Sequence, residues 1–406
     1  MRVLRNVVVV GASAAGLAAA DGLRANGYDG AITILSAESF APYDRPALSK
    51  GLLEAEEDLP LGALRAESHY AAYDLDLRLG QAAVGLDIDR RYVITSDGEP
   101  LPYDAVVIAS GARARRMRTP QGDILPVLRT AADLAALRLA ARVFDDIAVI
   151  GLGFIGLEIA AALQPRGVQV SVFGRSGLPL SRVLGAEVAQ AVHHAHADHG
   201  VAMYTNSEVV EVSGQPGSYT IRTADGQTYR AAHVVAGVGI EPNTDWLARS
   251  GVAVDHGVLC DPDGRSSVPD VFAAGDVARW RNSGPHAHGG HWMDAIGAGR
   301  LVAHNLLREE HKPFAAVPYF WTTQYSRKYC CYGRWRPGDE TIVVDGDLNG
   351  DFLALFTDGA TLHGVAACGR ERLLAGYREL LQRNAGITEA LEVAGLTETS
   401  AAPSTD

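Results

Sequence analysis

The sequence predicts an α/β fold built on two parallel sheets, each entered through a strand, a glycine-rich turn and a helix. Three observations carry this prediction. "NVVVV" (6–10) reads as a buried strand, and it breaks on "GASAAG" (11–16) before an alanine-rich helix to about Ala25. The same order returns at "DIAVI" (146–150) and "GLGFIGLE" (151–158), with a helix to about Leu163. The 406 residues are 47% apolar, which is enough for two to four ordinary domains.

The first turn runs through Gly11, Ser13, Ala14, Ala15 and Gly16. Its glycines let backbone approach a pyrophosphate, and the helix start offers N–H donors and the positive end of a dipole. Ser13 stands where a middle glycine is usual. The next strand, "AITILSAE" (31–38), brings Ala37 and Glu38 to its end. An acid about 20 residues after the turn is placed to bind ribose hydroxyls. Arg2 and Arg5 before the apolar run imitate a secretory leader, but the glycines and the continuation "DGLRANG" fit strand and helix better. No apolar run reaches 18 residues without charges or turn breakers, so no membrane span is expected.

"VVIASGA" (106–112), ending in Ala109, Ser110 and Gly111, resembles the small-residue strand with which flavoprotein chains leave the flavin domain, and that resemblance implies that it closes over the adenine half. In the repeated unit Gly151, Gly153, Phe154, Ile155 and Gly156 form a full fingerprint, followed by the strand "VQVSVF" (168–173). That strand ends in Gly174 and Arg175, with no Asp or Glu in "SVFGRSG". The repulsion of a 2′-phosphate is absent, and a guanidinium can pair with one. NADPH is therefore expected to serve at least as well as NADH. "PDVFAAGDVA" (269–278) places Gly275 and Asp276 just after a strand, where the acid can accept from ribityl hydroxyls. Two dinucleotide units in one chain imply a resident flavin, FAD, meeting a visiting nicotinamide dinucleotide, NADPH or NADH.

The formal net charge of −12 argues against a general nucleic-acid binder. Cys260, Cys330, Cys331 and Cys368 include no C-x-x-C pair, and Cys330 and Cys331 read as core thiols on successive faces of a strand. A reducing, cytoplasmic location fits. His193, His194, His196 and His199 lie with Asp198 on one helix. His194 and Asp198 have a metal-ligand spacing, but without a third ligand a solvated helix face is the expectation, and no metal is assigned. His286, His288 and His291 lie in a glycine-rich loop, where a proton relay by His291 is an open alternative.

Together these residues resemble the glutathione-reductase-like flavoproteins. More closely they resemble the ferredoxin reductases of bacterial oxygenase systems, over about residues 5–390. The resemblance rests on "PYDRPALSK" (42–50), "LRT" (128–130), "GLGFIGLE", "AGVGIEPN" (236–243), "VFAAGDVA" (271–278), "HWMDA" (291–295) and "PYFWTTQY" (318–325). It implies two Rossmann-like dinucleotide-binding domains plus a C-terminal α+β domain. FAD would occupy residues 1–111 and 236–312, NAD(P)H residues 112–235, and residues 313–406 would form an interface domain ending in a disordered tail. It also implies that Ala15, Glu38, Arg45, Lys50, Ala83, Arg129, Asp276 and Trp292 touch the flavin cofactor, and that Arg182 and Gly239 belong with the nicotinamide site. Lys50 is expected to pair with Glu158 as a tuning pair beside the reacting rings. For Lys50 the alternative is a solvated surface lysine, and for Trp292 a plain core position.

Hydride transfer needs no acid, base or nucleophile, only stacked rings about 3–3.5 Å apart. The implied reaction takes hydride from NAD(P)H and passes electrons singly to a 2Fe–2S ferredoxin. The disulfide reductases of the wider family carry a cysteine pair just after the first unit, and none stands here. Two alternatives stay open: a small acceptor such as a quinone, oxygen or an organic substrate, and a redox-sensing interaction protein. Asp294, Gly297 and Ala298, and Thr323 in "WTTQY", depart from the family pattern. An acidic ferredoxin is expected to dock on Arg327, Lys328, Arg334 and Arg336, which crowd a short stretch of an acidic chain. The protein is expected as a monomer or a homodimer.

Overall fold

The computed structural model describes residues 4–281 and 290–395. His286, His288 and the polar C-terminal tail lie outside them. The first strand, Asn6–Val10, is the centre of a five-stranded parallel sheet, between Ala31–Leu35 and Ala105–Ile108, with Leu75–Arg78 and Val271–Ala273 at the edges. Its four valines are buried, as a strand covered on both faces must be. The segment that imitates a leader is therefore central strand and helix, Ala14–Ala25. Among the described residues no helix is long and apolar enough to cross a membrane.

The repeat forms a second parallel sheet, ordered Ala202–Tyr204, Gln169–Phe173, Asp146–Ile150 and His233–Ala236. The helix after its glycine turn, Phe154–Leu163, is apolar all round except for Glu158, and eight of its ten residues are buried. A helix with no polar face must be covered on every side. The sheet covers one side, and segments from elsewhere in the chain cover the rest. The backbone passes from the first sheet to the second at Ala112–Ala114 and returns at Ile240–Pro242, and these two segments pair with each other as antiparallel strands.

The C-terminal sheet is antiparallel, ordered Tyr319–Gln324, Arg327–Gly333, Leu362–Cys368, Phe352–Thr357 and Glu340–Gly346. Strand alternation puts Phe320, Thr322 and Gln324 on one buried face of the edge strand. The same alternation sends Cys331 into the core shared with the second unit and Cys330 into the outer core of the C-terminal sheet. All four cysteines are free and buried.

The cations crowded in "SRKYCCYGRWR" stand at the two ends of one strand. Arg327 and Lys328 start a seven-residue strand and Arg334 and Arg336 follow its far end, roughly 20 Å away at strand rise. Arg327 also donates to the carbonyls of Leu348, Asn349 and Gly350. One sequence expectation is corrected here: the histidines of helix Ser181–Asp198 do not share a solvated face. His194 is exposed beside Gln190, but His196 is fully buried, and His199 stacks on Tyr325 with ring centroids 3.6 Å apart. Among the described residues no group of three His, Cys, Asp or Glu side chains could hold a metal ion.

Candidate active site

A cavity of about 590 Å³ opens along the end of the first sheet. The first turn supplies Gly11, Ser13, Ala14 and Ala15, and the loop after the second strand supplies Ala37 and Glu38. Glu38 lies three residues beyond the strand, which stops at Leu35. Ala83, Ala109, Ser110, Gly111, Arg129, Gly275 and Asp276 complete this half. Gly11 has φ +114°, and a Cβ there would lie 2.1 Å from the Ala109 carbonyl oxygen. The turn therefore presses bare backbone against the neighbouring strand end. The Ser13 hydroxyl makes no capping bond, so the first N–H groups of helix Ala14–Ala25 face the cavity without a side-chain acceptor.

The charged side chains are already ordered by one another. Glu38 accepts from Tyr43 Oη at 2.6 Å and from Arg45 Nη2 at 2.7 Å. Burial pushes the Tyr43 hydroxyl up to about 12, so it stays a neutral donor. Arg129 Nη2 pairs with Asp276 Oδ2 at 2.8 Å across the cavity. Thr130 caps helix Ala131–Val143 in a capping box with Asp133, which fixes the backbone that carries Arg129.

The cavity continues to Arg45, Lys50, Phe154, Ile155, Glu158, His291 and Trp292. Lys50 Nζ lies 2.9 Å from Glu158 Oε2, the pair expected from the sequence. Glu158 is only 3% exposed and also accepts from Ser49 Oγ and from Thr322 Oγ1, the latter at 2.7 Å. Sequence reading missed Ser49 and Thr322. Behind Thr322 runs a buried chain. Gln324 Nε2 donates to Thr322 Oγ1 at 3.2 Å, and Gln324 Oε1 contacts His196 Nε2 at 2.9 Å. That oxygen can only accept, so Nε2 carries the proton and Nδ1 accepts from Tyr325 Oη at 3.0 Å. Every donor points toward Glu158. At the mouth Phe154 packs edge-on to Phe320 at 5.1 Å, and His291 stacks on Phe320 at 5.2 Å.

Several other expected residues lie away from this cavity. Gly16 packs on the first turn from within the helix, and Gly156 does the same in the second unit. Gly151, Gly153, Gly174 and Arg175 sit at the second unit's own turn and strand end, Arg182 lies in the first turn of helix Ser181–Asp198, and Gly239 lies beside Arg115 near the returning strand. The first cavity and the second unit thus meet at Phe154, Ile155 and Glu158.

Burial holds His196 at about 4, against an ordinary value of 6.5, and His291 likewise. The unfolded chain takes up these protons near pH 6.5 and the folded chain only near pH 4. Stability should therefore fall as pH drops through that window, by up to about 3 kcal/mol per histidine. Asp294 acts oppositely. Burial raises it to about 6, so its cost is relieved as pH falls. Denaturation midpoints recorded from pH 7 to 4 should show a net loss, and His196→Gln should flatten the slope. An unchanged slope would place His196 outside the acid response.

The pyridine nucleotide-disulphide oxidoreductase model matches residues 5–299, and a "Reductase C-terminal" model matches residues 319–396. The chain belongs to the pyridine nucleotide-disulphide oxidoreductase family. It is 31% identical to rhodocoxin reductase of Rhodococcus erythropolis over 94% of this chain and 91% of that one. It is 34% identical to the ferredoxin–NAD(+) reductase component of the biphenyl dioxygenase system of Paraburkholderia xenovorans, over 84% of each. The structure of the ferredoxin reductase for the CYP199A2 system of Rhodopseudomonas palustris superposes with a TM-score of 0.88 at 28% identity, covering 94% of this chain and 95% of that one. Despite the family's name, no cysteine lines the cavity, and burial raises the Cys260 thiol to about 12 and the Cys331 thiol still further. In this pyridine nucleotide-disulphide oxidoreductase the four thiols are core residues.

Proposed function

We propose that the chain is an NAD(P)H-dependent ferredoxin reductase of an oxygenase system, carrying FAD and acting in the cytoplasm on a 2Fe–2S ferredoxin. The observation that carries this reading is one cavity that joins the first glycine turn to the Lys50–Glu158 pair without a cysteine in its lining. The residues fit FAD. The bare backbone at Gly11, the uncapped helix start and the cations Arg45 and Arg129 suit a dinucleotide pyrophosphate, with Glu38 and Asp276 for its hydroxyls. FAD, when bound, supplies the exchange between two-electron nicotinamide chemistry and one-electron iron–sulfur chemistry.

The chain's own residues position and shield. Glu158 fixes the Lys50 ammonium at the junction of the two dinucleotide units and keeps its charge neutralised in a dry setting. Phe154, Phe320 and His291 pack against one another beside that junction. The reading takes residues 1–111 and 236–312 as the FAD domain, 112–235 as the NAD(P)H domain and 313–406 as the interface domain. Purified protein should be yellow, release FAD on denaturation, and reduce both ferricyanide and a 2Fe–2S ferredoxin with a nicotinamide donor. Turnover with ferricyanide and quinones, but with none of a panel of 2Fe–2S ferredoxins, would move the activity to a small acceptor.

A further inference from the structure

The end of strand Gln169–Phe173 is where a second dinucleotide unit discriminates between its two possible nucleotides, since an acid there binds the adenosine ribose and repels a 2′-phosphate. The backbone of Gly174 is fixed at this point: its N–H donates to the Tyr204 carbonyl at 3.0 Å, and its carbonyl accepts from Ser207 N at 2.9 Å. A Cβ on Gly174 would lie 2.6 Å from Leu152 Cγ, 2.7 Å from Cδ1 and 3.2 Å from Cβ. Leu152 is the residue between the first two glycines of the turn, and it is buried in the core of the second unit. Its side chain fills the space that a carboxylate-bearing side chain would need. An acid at this position would therefore have to displace Leu152.

The surrounding charge has one sign. Between Glu158 and Glu187 the chain carries Arg166, Arg175 and Arg182 and no acidic residue, within a protein of net charge −12. Arg166 is spent inward on the Leu53 carbonyl. Arg175 and Arg182 are exposed, and among the described residues neither has an ion-pair or hydrogen-bond partner. One stands directly after Gly174 and the other in the first turn of the next helix, Ser181–Asp198. The third glycine, Gly156, does not argue for the unphosphorylated nucleotide. A Cβ there would lie 2.0 Å from the Gly151 carbonyl oxygen, so the turn itself requires glycine.

We propose that the second unit selects the 2′-phosphorylated nucleotide, NADPH, with Arg175 and Arg182 as the phosphate ligands and Leu152 as the residue that closes the alternative. This rests on the nicotinamide reading above but not on the identity of the electron acceptor. It separates the chain from the biphenyl dioxygenase relative, whose name specifies NAD(+). Calorimetry on the flavin-loaded protein at low salt should show adenosine 2′,5′-bisphosphate binding at least tenfold more tightly than 5′-AMP. With ferricyanide as acceptor, kcat/KM for NADPH should equal or exceed that for NADH. The NADPH/NADH ratio should drop at least tenfold in Arg175→Ala and further in Arg175→Ala/Arg182→Ala. Gly174→Glu alone should weaken both nucleotides, whereas Leu152→Ala/Gly174→Glu should bind NADH and reject NADPH. Equal affinity for the bisphosphate and 5′-AMP overturns the proposal, as does a wild-type preference above tenfold for NADH or a ratio unmoved by Arg175→Ala. Failure to reduce any ferredoxin would overturn the acceptor assignment and leave these binding results intact.

Discussion

Glu158→Ala is expected to destabilise the protein by about 3–5 kcal/mol, the usual cost of removing one partner from a buried ion pair. The carboxylate is 3% exposed and is the acceptor for three donors, Lys50 Nζ, Ser49 Oγ and Thr322 Oγ1. Alanine leaves an ammonium and two hydroxyls without that acceptor, and it opens a gap between three segments that are distant in sequence. Glu158→Gln keeps a carbonyl oxygen for a hydroxyl and removes the charge, so it should cost clearly less stability while still slowing reduction by nicotinamide. Urea denaturation of the three proteins measures the first effect and stopped-flow bleaching of the flavin the second. Equal stability of Glu158→Ala and wild type would mean that the pair is solvated.

Gly11→Ala should abolish flavin retention. Its Cβ would meet the Ala109 carbonyl oxygen at 2.1 Å and the carbonyl carbon at 2.6 Å, and backbone at the centre of a sheet cannot step aside. The φ of +114° adds strain for any residue with a side chain. Gly98→Ala is the matched control. It also has positive φ, +85°, but open space around the new methyl, so it should cost about 1 kcal/mol and keep its flavin. Flavin content per chain after gel filtration distinguishes the two. Full retention in Gly11→Ala would show that the first turn does not hold the cofactor.

The parts of the structure that sequence reading reached are those written locally. The strand at Asn6–Val10, its turn and the helix to Ala25 occupy about twenty consecutive residues, as does the repeat ending at Leu163, and in each the signal is periodicity interrupted by glycine. Lys50 and Glu158 were legible as a pair only through resemblance, since 108 positions separate them. Thr322 and Gln324 stand in "PYFWTTQY" (318–325), but their role depends on which face of the edge strand is covered. His196 shows the limit most clearly. Nothing in "AVHHAHADHG" separates it from its neighbours, and it is buried because Gln324 and Tyr325, 128 and 129 residues away, close over it. The cationic run shows the converse: its members stand at the two ends of one strand, so adjacency in sequence becomes distance along the sheet.

The antiparallel pairing of Ala112–Ala114 with Ile240–Pro242 means that the chain leaves the first sheet and re-enters it at the same place. Facing residues in such a ladder lie about 5 Å apart. An insert whose two ends are neighbours asks nothing of the topology of its host. It can be gained, exchanged with a sister gene, or rebuilt for another nucleotide while the host sheet keeps its strand order and connections. In topology the second unit is thus a cassette, and the constraint on its replacement lies in the surface it presents to Lys50 and to the strand Tyr319–Gln324. A transplanted unit would have to bring a glutamate at the place of Glu158, because that side chain is the point where guest, host and C-terminal sheet are checked against one another.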